Sequence, residues 1–200
     1  MEKNDYKNIS NFAKSKNVNL SGVKKFKGSP AVVNDSVTFL ANINNIFPNI
    51  SVNNKKLTLN LGESMSKKDF AATNGRIISL NKDYYHNIDI LQSEYKKLAD
   101  NGWFVKGTDY RAIIYHESGH VIDEIYKIDS LKIACEITGL ESKKILEFVK
   151  TDLSAYAASD KYGNEIISEV FADIFSGNAS KFSKEFYKKV LEITRTDKNK

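Results

Sequence analysis

Ile114-Tyr115-His116-Glu117-Ser118-Gly119-His120-Val121-Ile122-Asp123-Glu124-Ile125 is the stretch around which the rest of the chain is read. Ile114, Val121, Ile122 and Ile125 recur at helical spacing and form an apolar arc facing away from the two histidines. The run is therefore a helix with one buried face. Gly107-Thr108-Asp109 opens it, with Asp109 placed to favour the positive end of the helix dipole.

Two histidines four residues apart lie about 40° apart around a helix, so both imidazoles can reach one ion. The chain has only three histidines, and this pair uses two of them. Zinc accepts neutral imidazole nitrogen, and a catalytic zinc site keeps three protein ligands and one open position. Glu117 lies about 100° round the helix from His116, beside an ion held by the pair. There it can act as the base that takes a proton from an activated water.

The third ligand decides the class. A metzincin would need a histidine six residues after His120, where Tyr126 stands, and a glycine three residues after it, where Asp123 stands. A carboxylate on a later helix is the remaining choice. Glu141 has no supporting pattern. Glu169, in Ser168-Glu169-Val170-Phe171-Ala172-Asp173, is the first candidate and Glu165 the next. Asp173, one turn beyond Glu169, is placed to accept a hydrogen bond from the outer nitrogen of a ligating histidine. Ser168, Ala172 and Ser176 carry small side chains beside these acids, as close approach of a second helix requires. His86, the remaining histidine, reads as a loop residue.

Working outward, Ser29-Pro30 starts a helix that Phe47-Pro48 ends. Leu57–Leu61 and Arg76–Leu80 read as strands, the second opened by Asn74-Gly75. Helices follow over about 89–99, 130–138, 141–149, 164–176 and 181–193, with a loop at 154–158. The expected class is α+β: a small, mostly antiparallel sheet against a mainly helical half. Residues 1–28 read as a helical extension and linker, and residues 29–200 as the catalytic domain.

Composition sets the outer bounds. Hydrophobic content of 41% and charged content of 28% belong to a folded globular chain, not a disordered one. A net charge of +5, spread along the sequence apart from short groups such as Lys24-Lys25 and Lys198-Asn199-Lys200, does not make a nucleic-acid stripe. One cysteine, Cys135, excludes an internal disulfide framework and reads as a small buried hydrophobe. No apolar run is long enough for a membrane helix and no leader pattern opens the chain, so a cytoplasmic or virion-associated setting is expected.

Residues 74–81, 102–108 and the histidine motif resemble metallopeptidase domains encoded by phages and prophages. Leu153–Ser159 and Glu169–Phe175 resemble the matching part of the anthrax-lethal-factor-like gluzincins. The resemblance implies a zincin-like fold and a zinc metalloendopeptidase acting on a peptide or protein, with His116, His120 and Glu169 on the metal and Glu117 as base. It further implies that Tyr156 donates to the oxyanion and that the strand at 76–80 is a sheet edge on which substrate pairs. Thirteen residues separate Tyr156 from Glu169, longer than the family spacing, and this leaves Tyr162 as an alternative to Tyr156. Trp103 reads as an apolar anchor for the segment entering the histidine helix. Two other readings stand beside the peptidase: a phage structural module that retains zinc without turnover, and a regulatory protease of a mobile element.

Overall fold

The computed structural model describes residues 3–51, 55–177 and 179–196, so Lys198-Asn199-Lys200 lies outside the described residues. The chain is α+β and divides into two compact units, Met1–Gln92 and Ser93–Lys200. The division falls at residue 92, not at residue 28 as the sequence suggested. Residues 1–28 are not a separate extension, because Asn19–Ser21 forms a strand of the sheet and Ile9, Ala13, Val18 and Phe26 are buried.

The first unit holds α1 (Lys3–Ser15), β1 (Asn19–Ser21), α2 (Pro30–Ile46), β2 (Thr58–Glu63), β3 (Ala71–Asn74), β4 (Ile77–Asn81) and the short α3 (Lys82–Tyr85). Helix α2 begins as its sequence dictates: the Ser29 hydroxyl accepts a hydrogen bond from the Ala31 amide, and Pro30 occupies the first turn. The sheet order is β1-β2-β4-β3. β1–β2 and β2–β4 are parallel and only β3–β4 is antiparallel, so the sheet is mixed and the expectation of a mostly antiparallel sheet is corrected. β4 is also not an edge. It pairs with β2 on one side and β3 on the other, and Ile78, Ser79, Leu80 and Asn81 are buried. The β-branched run that marked it as a strand belongs to an interior position, where both faces are covered. Its backbone is already paired on both sides, so it offers no rail for a peptide.

Helix α4 (Ile88–Asp100) leads into the second unit, which contains α5 (Ala112–Tyr126), α6 (Ser130–Thr138), α7 (Ser142–Asp152), α8 (Asn164–Ser176) and α9 (Lys181–Thr196). Its centre is the pair α5 and α8. Ile113, Ile114, Val121 and Ile122 of α5 are buried, as are Ile166, Ile167, Val170, Phe171 and Ala172 of α8. Tyr115 meets Phe175, His116 meets Glu169 and His120 meets Glu165, so the partners descend α8 as they climb α5 and the two helices are antiparallel. Among the described residues, no helix is long and apolar enough to cross a membrane.

Candidate metal centre

His116, Glu117 and Gly119 are buried on α5, and His120 is half-buried one turn later. Gly119 explains how α8 comes so close: a Cβ there would lie 2.5 Å from the Ser168 Cα and 3.0 Å from its amide nitrogen. The glycine of the motif is thus a contact surface, and the small residue expected on α8 is its counterpart. This close packing carries the carboxylates of α8 to the imidazoles of α5.

The group that results is His116, His120 and Glu165, which together could hold a metal ion. The His116 and His120 Nε2 atoms are 3.1 Å apart, and Glu165 Oε2 lies 3.3 Å from the first and 3.2 Å from the second. Three donor atoms thus converge on one point. Glu165 Oε2 is buried and in hydrogen-bond geometry with neither nitrogen.

Glu169 stands elsewhere. Its Oε1 accepts a 2.8 Å hydrogen bond from His116 Nδ1, the nitrogen on the far side of the ring from the group. Once the Nε2 proton is lost, that contact holds the ring in the tautomer whose Nε2 lone pair faces the other two donors. The group that could hold an ion thus includes the second candidate, Glu165, one turn earlier on the same helix, and not the first, Glu169. Glu169 takes the role foreseen for Asp173. Asp173 Oδ2 instead accepts from the Ser180 amide at 3.0 Å and the Ser183 hydroxyl at 2.6 Å, pinning the start of α9.

The local sequence explains why Glu165 is available. Asp160 Oδ1 accepts from the Tyr162 amide and Oδ2 from the Asn164 amide, while Gly163 adopts a left-handed conformation, φ 75°. The segment 160–163 is thus a turn that starts α8, with Gly163 at the N-cap and the Asp160 carboxylate accepting from the first helical amide. Glu165 falls in the first turn, where the helix dipole favours a carboxylate. The acid meeting the histidines then follows Tyr156 by nine residues instead of thirteen.

Charges at the centre are strongly coupled. Burial opposes a charged His116, but the carboxylates of Glu165 and Glu169 outweigh it and push the imidazole up to about 10. Burial likewise works against a charged Glu165, yet the two histidines beside it hold its carboxyl down to about 2. Asp123, three residues past His120, is raised by burial, with the His120 charge acting in the opposite sense. Glu117 is buried outside the donor group, and its negative charge acts on His116.

An aromatic cluster flanks the histidines. The Tyr156 ring lies 5.5 Å from the His116 ring, tilted by 33°, and packs against Phe104 and Trp103. Tyr162, the other tyrosine the sequence offered, is 66% exposed with Lys161 over its ring. Tyr95, unremarked in the sequence, stacks on Phe104 and joins its hydroxyl to Thr108; burial, with the Glu169 charge adding to it, raises its ionisation well above the ordinary range. No local motif marks it, since its surroundings come from tertiary packing. His86 ends α3 in the first unit, its exposed ring edge-on to Phe26. Cys135 is only half-buried, its thiol 3.6 Å from the Ser142 hydroxyl.

Compared with known proteins, the chain matches no family model, no curated protein and no solved structure.

Proposed function

We propose that this chain is a zinc-dependent metallopeptidase of zincin type, with His116, His120 and Glu165 holding the ion. The observation that carries the reading is the Nε2–Nε2–Oε2 triangle, with sides of 3.1, 3.3 and 3.2 Å. Ligands about 2.0–2.1 Å from a tetrahedral zinc stand roughly 3.3–3.4 Å from one another, close to this spacing. A buried carboxylate oxygen without a hydrogen bond, facing two imidazole nitrogens, also fits a cation held among them. Two nitrogens and one oxygen are the donor set of a catalytic zinc with an open position, whereas structural zinc sites are normally closed by four protein ligands.

Bound zinc would supply Lewis acidity, lowering the pKa of water and polarising a carbonyl. The residues do the rest. Glu169 orients His116 through Nδ1. Glu117 accepts the proton of the attacking water and passes it to the departing amine. Tyr156, with its ring against His116, donates its hydroxyl to the developing oxyanion. Glu117 argues for turnover over a purely structural zinc module, because such a module has no use for a base beside its metal. A peptide or protein is the substrate, and a phage or mobile-element setting follows from the sequence resemblance alone.

The test is metal analysis together with peptide digestion. Purified protein should carry close to one zinc per chain, and Glu117→Gln should keep the zinc while losing hydrolysis. A peptide library cleaved identically by wild type and Glu117→Gln would refute the mechanism.

A further inference from the structure

Trp103 differs from the anchor that the sequence led us to expect. Its backbone is tightly held: the amide donates to the Leu98 carbonyl at 2.9 Å and the Asn101 side-chain oxygen at 3.0 Å, and its carbonyl accepts from the Tyr156 amide at 2.9 Å. Gly102 before it adopts a left-handed conformation, φ 79°, and its carbonyl accepts from the Ala155 amide, so the segments 102–103 and 155–156 are tied by two backbone bonds. Yet the residue is 41% exposed. A rigid mount thus presents a large aromatic face to solvent.

Tyr156 links the indole to the centre. The indole lies 5.7 Å from the Tyr156 ring at 45°, and Tyr156 lies 5.5 Å from His116. The two steps put Trp103 within roughly 11 Å of the His116 ring, the span of about three residues of extended chain. The exposed part of the indole gives a third ring a surface on which to stack offset or meet edge-on, the two arrangements aromatic pairs favour. An aliphatic chain covers the same surface without matching its ring electrostatics.

We propose that Trp103 contacts the substrate and selects an aromatic side chain two or three residues from the scissile bond. The inference rests on the peptidase reading and adds a substrate class to it. Trp103 is the only tryptophan in the chain, so its emission reports the event directly.

The experiment uses zinc-loaded Glu117→Gln, titrated with peptide pairs that differ only by Phe or Ala at the second or third position from the bond wild type cuts; if wild type cuts none, random peptides with and without Phe are used. Aromatic peptides should shift Trp103 emission and bind roughly tenfold more tightly than their alanine counterparts. Trp103→Phe should keep most of the preference, and in wild-type background Trp103→Ala should cut both members of a pair with equal efficiency. Unchanged emission at saturation by calorimetry, an undiminished preference in Trp103→Ala, or no binding at all would overturn the proposal. The peptidase reading fails by a different sign, the absence of any product that depends on Glu117.

Discussion

Gly119 on α5 and Ser168 on α8 touch backbone to backbone: a Cβ on the glycine would stand 2.5 Å from the serine Cα. Glu165 and Glu169 flank Ser168 along α8, and His116 and His120 flank Gly119 along α5. The contact between two small residues thus sets the depth and register at which four functional side chains meet.

Gly119→Ala tests this directly. Alanine in a helix interior is intrinsically better than glycine by about 1 kcal/mol. Here the added methyl would meet backbone atoms, which cannot rotate away, and overpacking of a close core contact costs about 1–3 kcal/mol. The clash should win. The variant is expected to melt several degrees lower and to bind zinc more weakly in a chelator competition; a higher melting temperature with unchanged affinity would show that the two helices can part freely.

The two glutamates should separate by metal content. Glu165→Ala removes a donor of the His-His-Glu group and should leave the purified protein without stoichiometric zinc. Glu169→Gln retains an acceptor for His116 Nδ1 and should keep the metal at an affinity lowered about 10–100-fold, as is typical when the partner of a ligating histidine is changed. Elemental analysis and competition titration distinguish them. The reverse ranking would return Glu169 to the ligand position.

The metal-free protein should have a characteristic pH profile. His116 is raised from its ordinary 6.5 to about 10, so its contribution to stability is complete below about 6.5 and is lost as the pH climbs towards 10. Glu165 is lowered from 4.5 to about 2, so its contribution is complete above about 4.5 and is lost as the pH falls towards 2. Between those limits both contributions are present. Thermal melts of the chelated protein should decline on either side of the window, and Glu165→Gln should flatten both limbs. Zinc binding must displace a proton from His116, so affinity should rise with pH over the same alkaline range.

The tyrosines make opposite predictions. Tyr156→Phe removes the proposed oxyanion donor while leaving the ring against His116, and kcat should fall about 10²–10³-fold with zinc content unchanged. Tyr162→Phe, at an exposed residue of the turn before α8, should leave both kcat and zinc content at the wild-type level. Equal losses in the two variants would exclude Tyr156 from a specific role.

Much of the site was legible in advance because it is local. A spacing of four on a helix puts His116 beside His120 whatever the rest of the chain does. Ser29-Pro30 and Phe47-Pro48 likewise bounded α2 through chemistry confined to a few residues. The strands at 58–63 and 77–81 could be read from their side-chain pattern, but their neighbours could not. β3 and β1 carry weak signals, and the pairing that makes β4 interior depends on segments distant in sequence.

Residue order alone was enough to read the histidine pair, its glutamate neighbour, and an acidic helix with small residues to pack against them. Which acid completes the group was not legible there. Glu165 and Glu169 are one turn apart and nearly share a face, so periodicity cannot tell them apart. The choice follows from how far α8 slides along α5, and that register is set by backbone contact at Gly119 and Ser168 and by the turn that Asp160 and Gly163 build before α8.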